Sequence, residues 1–304
     1  MRRVALLGLG EAGRVLAEDL LALGDVEVAA WDVAFGDAGS PAARNGSELE
    51  VRRASSAAEA VADAELVLGA VTADQTDHAA QDAATGLAPD AFYLDISSSS
   101  PGRKAHAART VDDAGACYVE AALMASIGPR RCASPFLLGG PHAAAFAAVA
   151  ASWGLTDVTV VGAVVGRAAA TKLCRSVIVK GMEALFTESL LAARRYGVGQ
   201  EVLDSLPTAL PAGDWERLAG YLVTRSVQHG ERRAEEMAEA ARTVAATGVE
   251  PWMSRATVER QRWAGRFGQV LSVEGTTELV DALLEAAALD DSRPDGTRAG
   301  GGSA

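Results

Sequence analysis

The stretch Val4-Ala-Leu-Leu-Gly-Leu-Gly-Glu-Ala-Gly-Arg-Val-Leu-Ala17 decides the fold. An apolar strand runs into Gly8-x-Gly10-x-x-Gly13 and straight on into a helical pattern. Gly8 permits the tight turn, Gly10 leaves room for a pyrophosphate, and Gly13 lets the new helix pack closely on the strand. Glu11 and Ala12 open that helix, whose first amides would face the phosphates. A second apolar run, Val26 to Trp31, ends in Asp32, roughly twenty residues on, where an acid can bind ribose hydroxyls. A bare strand-to-helix turn followed by an unrelated acid is the plainer alternative.

The 304 residues suit two domains and a substantial core. A formal net charge of −12 and a pI near 4.9 argue against non-specific binding to nucleic acid or an anionic membrane. Cys117, Cys132 and Cys174 are odd in number and far apart, with no C-x-x-C pair to suggest zinc or a redox couple, so a reducing cytoplasm is expected. The first strand begins almost at once, leaving no room for a signal peptide, and the Ala-rich run from Ala143 to Ala151 is too short to span a bilayer. Asn45-Gly46-Ser47 spells a glycosylation sequon but reads as a turn.

Short apolar runs alternate with Ala-rich helical segments up to Gly162, which predicts an α/β, Rossmann-type domain over residues 1–162. Strands are expected at Val4–Gly8, Glu27–Trp31, Glu48–Arg52, Leu66–Val71, Phe92–Ile96, Cys117–Glu120, Pro135–Gly139 and Val158–Val161. Val71 and Thr72, at the end of the fourth, fall where the cofactor would lie. After Gly166 the pattern is all-α. An interdomain helix is expected within 163–196, ending at Gly197 as C-cap. A helical domain for substrate binding and dimerisation follows over 197–289, with helices near Trp215–Gly230, Glu231–Thr247, Pro251–Arg266 and Thr276–Leu289. Residues 290–304 are polar and Gly-rich, as in a disordered tail.

The glycines name a cofactor but no reaction. Lys172 is the candidate for proton transfer: it lies early in the interdomain helix, and Arg175 and Ser176 follow at three and four residues, near one face. Glu183 falls near the same face, with Lys180 at its edge. The flanking runs Ala168–Ala170 and Val177–Val179 suggest a helix buried on most sides, where burial and Arg175 would favour a neutral amine. The alternative is a solvated charged stripe. Asp95-Ile-Ser-Ser-Ser-Ser-Pro101 leaves a strand end, so its hydroxyls are placed to hold the nicotinamide ribose or a substrate carboxylate, or simply to form a turn. Glu120-Ala-Ala-Leu-Met-Ala-Ser126-Ile-Gly128 is a weaker candidate for gripping an anion. His229 with Arg232 and Arg233 at helical spacing forms a third cluster, read as a helix surface or a ligand contact.

These residues resemble the β-hydroxyacid dehydrogenase family, which includes 3-hydroxyisobutyrate and 6-phosphogluconate dehydrogenases. Gly8–Gly13 looks like its cofactor motif, Asp95–Pro101 like its D-x-S-T-x-x-P loop, and Gly166–Lys172 like its G-x-x-x-x-x-K motif. The resemblance implies that Lys172 is the general acid/base and that Ser98 lies near the nicotinamide ribose or substrate. Two departures point to a subgroup. The D-x-P-V-S-G-G loop becomes Glu120 to Ser126, with Met124 at the serine position, so Ser126 takes over as the candidate hydroxyl. The K-x-x-N-N motif becomes Lys172-Leu-Cys-Arg175-Ser176, in which Arg175 would favour a carboxylate or phosphate-like group. Together with His229-x-x-Arg-Arg-x-Glu-Glu-Met237, this looks like a phosphogluconate dehydrogenase-like subgroup with a distinct helical C-terminal domain.

The sequence therefore predicts an NAD(P)-dependent oxidoreductase that moves hydride to or from the carbinol carbon of a small acidic substrate, with no nucleic-acid or membrane partner. Asp32 favours NAD over NADP. A homodimer is expected, because Leu218, Leu222, Trp252 and Trp263 are more apolar side chains than a small helical domain is expected to bury; dimers of this fold would bring His229 and Arg233 near a substrate. Reduction of a C=N bond and non-catalytic NAD(P) sensing are the alternatives.

Overall fold

The computed structural model describes residues 1–209 and 214–291. The chain divides into two compact units, Met1–Cys174 and a second beginning at Arg175.

In the first unit eight strands form one sheet: β1 (Arg2–Leu7), β2 (Val26–Trp31), β3 (Arg52–Arg53), β4 (Leu66–Gly69), β5 (Phe92–Asp95), β6 (Cys117–Leu123), β7 (Phe136–Gly139) and β8 (Val158–Gly162), in the order 3-2-1-4-5-6-7-8. All neighbours pair in parallel except β6 with β7. Helices α1 (Glu11–Leu21), α2 (Pro41–Glu48), α3 (Ala57–Val61), α4 (Thr76–Ala84), α5 (Pro101–Asp113), α6 (Ile127–Arg130) and α7 (Ala143–Val149) connect them. Both faces are covered, so the central strands read as unbroken apolar runs. On β1, Val4 and Leu6 join the core on one side with Leu16 and Leu20, while Ala5 and Leu7 face Val61, Val67 and Tyr93 on the other.

The strand expected at Glu48–Arg52 is a two-residue β3 at Arg52–Arg53 instead: α2 runs through Glu48, and residues 49–51 are spent turning the chain into the sheet. Ser40 caps α2 by accepting from the Ala43 N–H at 3.0 Å, with Pro41 in its first turn. Asn45-Gly46-Ser47 thus lies in a helix and is no turn, and Asn45 is buried. Another feature bears on the site. Gly69, Asp95, Glu120 and Gly139 stand side by side across β4, β5, β6 and β7.

Helix α8 (Arg167–Tyr196) begins in the first unit and continues into the second, which adds α9 (Gly199–Ala209), α10 (Trp215–Ala245), α11 (Trp252–Gly265) and α12 (Thr276–Asp291). Gly197, at φ +73°, follows α8 as expected of a C-cap. Helix α9, with Pro207 inside it, is an element the sequence pattern did not announce. The two helices expected on either side of Gly230 run on as α10, broken only at His229, whose φ of −127° and ψ of 15° are non-helical. The break sits where two backbones cross: a Cβ on Gly230 would lie 2.3 Å from the Gln261 carbonyl oxygen and 2.5 Å from the Gly265 nitrogen of α11.

Leu190, Val223, Val227, Phe267 and Leu283 form the helical core. Leu222 is buried too, and Leu218 and Trp263 pack against the core, so the unit covers more of its apolar residues than their number suggests. Trp252 stays 74% exposed. Helix α8 is not buried on most sides: Ile178, Val179 and Leu185 are exposed. No helix among the described residues is long and apolar enough to cross a membrane. Helix α12 runs to Asp291, and the rest of the expected tail, 292–304, lies outside the described residues.

Candidate active site

The glycine loop has the geometry its spacing predicts. Gly8 adopts φ +93°, and a Cβ there would meet the Ala70 carbonyl oxygen at 2.7 Å. A Cβ on Gly13 would sit 2.1 Å from the Gly8 carbonyl oxygen, so α1 packs on β1 at a distance only glycine allows. Around Gly10 there is open space, with nothing within 4 Å of a built Cβ. Gly10 is also the N-cap of α1 and has no side chain to occupy the orphan amides of the first turn. An open cradle in front of unclaimed N–H groups fits a dinucleotide pyrophosphate.

Asp32 holds this loop. Its Oδ2 accepts from the Leu9 N–H at 2.8 Å and its Oδ1 from the Ala34 N–H at 2.9 Å. The Leu9 carbonyl in turn accepts from Asn45 Nδ2 at 2.8 Å, so both polar groups of the Leu9 backbone are fixed from outside the loop. Each carboxylate oxygen of Asp32 keeps a lone pair for a ribose hydroxyl. Gly8, Gly10, Asp32, Val71 and Thr72 line one cleft of about 160 Å³. Gln75 and His78 line it too and were missed in the sequence, although Thr72-x-x-Gln75-x-x-His78 sits just beyond a strand end. Glu11 is exposed and Ala12 half-buried against the sheet core.

The second motif is built on a buried carboxylate. Asp95 is 2% exposed; its Oδ1 pairs with Lys104 Nζ at 2.9 Å and accepts from the Ser97 N–H at 3.0 Å, and its Oδ2 accepts from the Tyr118 hydroxyl at 2.8 Å. Burial and the Asp95 carboxylate push the Tyr118 phenol well above its ordinary range, so it stays a donor. Ser97 and Ser99 are buried and share a hydrogen bond at 3.1 Å. Ser98 is left to face the other way. It accepts from Lys172 Nζ at 2.7 Å across 74 residues of chain. The second and third sequence motifs therefore meet within the first unit, at the pair expected to touch substrate. Ser126 is exposed at the start of α6, where its side chain makes no capping bond.

The other residues singled out lie in the helical unit. Ser176 is buried and accepts from Lys180 Nζ at 3.1 Å, whereas Arg175 is exposed, so the two part company on α8. Lys180 pairs with Glu236 at 2.6 Å, Arg233 with Glu183 at 2.9 Å, and Gln261 donates to Glu183 Oε2 at 3.2 Å. Burial lowers the Lys180 ammonium and the Arg233 guanidinium from their ordinary values and raises the Glu183 carboxyl, in each case against the pull of the ionic partner. His229 Nε2 lies 2.6 Å from Arg225 Nη1. The expected cluster of His229, Arg232 and Arg233 is thus split: Arg233 is interior, and Arg232 pairs with Glu236 at 2.7 Å.

The family model for the NAD binding domain of 6-phosphogluconate dehydrogenase matches residues 3–151, and a domain of unknown function (DUF1932) matches residues 193–264. A conserved hypothetical protein from Sinorhizobium meliloti 1021 is 33% identical, with 94% of this chain and 96% of that one covered at a TM-score of 0.77. The conserved protein MTH1747, of unknown function and described as structurally similar to 3-hydroxyacid dehydrogenases, is 26% identical over 90% of this chain and 100% of its own, with a TM-score of 0.70. The 3-hydroxyisobutyrate dehydrogenase of Mycobacterium tuberculosis, solved with L-serine, shares the fold at 19% identity, a TM-score of 0.70 and coverage of 93% and 99%. Imine reductases share the fold as well. No curated protein matches.

Proposed function

The chain belongs to the β-hydroxyacid dehydrogenase family, and from that membership we propose that it moves hydride between a nicotinamide cofactor and the carbinol carbon of a small hydroxy acid. The observation that carries this reading is the 2.7 Å contact between Lys172 Nζ and Ser98 Oγ, in the same unit as an open glycine cradle. NAD(P) supplies the hydride acceptor or donor when bound. Lys172 takes the hydroxyl proton in the oxidising direction and returns it in the reducing one. Because Ser98 accepts from Lys172, its own hydroxyl proton is available to donate to the substrate oxygen and hold that oxygen against the amine.

For the acid group of the substrate, Arg175 is the leading candidate, exposed on α8 three residues beyond Lys172, with Ser126 second. Ser176, His229 and Arg233 already have partners within the helical unit, and Arg233 is engaged by Glu183; their part is to shape that unit. Asp32 favours NAD, since a carboxylate accepts ribose hydroxyls and repels a 2′-phosphate. The exposed Ile178, Val179 and Leu185 of α8 support a homodimer. Three free cysteines suit a reducing cytoplasm.

The test is a panel of 3-hydroxy acids, 3-hydroxyisobutyrate and L-serine among them, mixed with NAD⁺ or NADP⁺ and followed by nicotinamide absorbance. Turnover that disappears in Lys172→Met supports the proposal. Turnover of cyclic imines but of no hydroxy acid would replace it with C=N reduction, and tight cofactor binding without any turnover would favour a sensor. Tighter binding of NADPH than NADH would overturn the cofactor preference, and a monomer by light scattering would end the dimer.

A further inference from the structure

Helix α8 could be capped locally by a serine or aspartate at its N-terminus, as α2 is by Ser40. It has Gly166 there instead, and the cap comes from a strand 46 residues away. Glu120, fully buried in β6, accepts from the Gly166 N–H at 2.7 Å and the Ala168 N–H at 3.4 Å through Oε2, and from the Ala169 N–H at 2.6 Å through Oε1. Three of the orphan amides that begin the helix converge on one carboxylate, and Lys172 leaves the helix one turn later.

The surroundings are shaped for this contact. A Cβ on Gly139 would lie 2.5 Å from Glu120 Oε2, so the neighbouring strand gives up a side chain where the carboxylate passes. Gly166 stands at φ +98°, and a Cβ on it would reach Pro101 Cβ at 3.0 Å, which lets the start of α8 close on the end of the serine loop. An acid inside an apolar strand costs stability unless its charge is met, and nothing in the packing of a sheet covered on both faces calls for it.

We propose that Glu120 is a positioning residue for proton transfer, fixing the first turn of α8 and with it the place of Lys172 against Ser98. This rests on the reading of Lys172 as the acid/base. Asp95, beside Glu120 in register, holds the serine loop, so each half of the Lys172–Ser98 pair is tied to its own strand, at the end of β5 and at the middle of β6. Glu120 touches neither reacting group; it acts through the helix.

The chain has three lysines, Lys104, Lys172 and Lys180, so protein labelled with ¹³C at lysine Cε gives three resolvable correlations without any substrate. In full-length Glu120→Gln at least one of the three donors meets an amide NH₂ and the charge is gone. The Lys172 correlation, assigned by its loss in Lys172→Met, should move and broaden while those of Lys104 and Lys180 stay. With a hydroxy acid found by the panel above, kcat should fall at least tenfold, with KM and cofactor affinity within twofold. Gly139→Ala, which keeps the carboxylate and displaces it, should give the same signature at smaller size and serves if Glu120→Gln does not fold. An unmoved Lys172 correlation in the folded variant, or in Gly139→Ala alone if Glu120→Gln does not fold, overturns the proposal whatever Lys172 does chemically. Lys172→Met with normal turnover sinks the acid/base reading instead.

Discussion

The two units differ in what meets their acidic side chains. In the nucleotide unit the buried Asp95 and Glu120 and the half-buried Asp32 each accept from backbone N–H groups, Asp95 pairing with Lys104 as well, so these carboxylates set the path of the main chain. In the helical unit Glu183 and Glu236 meet the side chains of Arg233 and Lys180, and several buried atoms there, Glu183 Oε1, Arg233 Nε and Gln261 Oε1 among them, find no hydrogen-bond partner among the described residues. A carboxylate that receives amides is solvated by dipoles the fold must place anyway. An ion pair between flexible side chains must offset its own desolvation, and Glu183 and Arg233 both have their charged forms disfavoured by burial. Chemistry belongs where the backbone is pinned.

The largest effect should come from Lys172→Met. Turnover falls by about a hundredfold or more, the scale of a lost general acid/base, while cofactor affinity holds because the cradle is untouched. Loss of cofactor binding along with turnover would mean that the lysine supports the cleft and has no separate role.

Next, the ion pair of the helical unit can be broken from one side and then removed. Arg233→Met leaves Glu183 buried beside an apolar stem and should cost about 3 kcal/mol in denaturant unfolding. Adding Glu183→Leu should restore most of that loss. A double variant as unstable as the single one would show that the pair specifies the packing of α8 against its neighbours.

A third comparison lies within the glycine loop. Gly10→Ala adds a methyl group into open space, so Tm should stay within a degree or two while NAD(P)H affinity falls about tenfold, some 1.4 kcal/mol. A drop in Tm, or unchanged affinity, would show that the cradle is not where the phosphates rest.

The smallest effect is a pH dependence. The native Glu183 carboxyl titrates above its ordinary range, so the stability it contributes when protonated is complete below that range and lost as pH rises through the raised native value. Glu183→Gln mimics the protonated form. Measured by urea unfolding from pH 4 to pH 8, it should gain on the wild type as pH rises, by about 1.4 kcal/mol for each pH unit by which burial lifts the carboxyl. A constant difference would show that Arg233 fully compensates the burial.

The sequence showed the nucleotide unit better than the helical one, for a physical reason. Gly8 and Gly13 are required by backbone sterics and Gly10 keeps the cradle open, and strands such as Val4–Leu7 announce themselves by an unbroken apolar run, so both leave marks at fixed spacing. Lys172 and Ser98 were found separately, and their contact follows from strand order, which spacing does not encode. Asn45 was hidden by a sequon, and Glu120 by the motif around it, because a capping partner 46 residues away has no local pattern. Helix α9 was missed because Pro207 reads as a breaker, although it falls in the final turn. In the helical unit Arg232 and Arg233 look alike in sequence. Only the packing of α10 sends one outward to Glu236 and the other inward to Glu183.

The row Gly69, Asp95, Glu120, Gly139 works as a ruler. Adjacent strands in any sheet stand about 4.8 Å apart, a pitch set by amide-to-carbonyl bonding and indifferent to what the loops contain. Because the serine loop hangs from one mark on that ruler and the lysine helix from the next, their spacing is inherited from the ladder. The connections between can lengthen, shorten or drift in composition over evolutionary time. The gauge of the site stays the same.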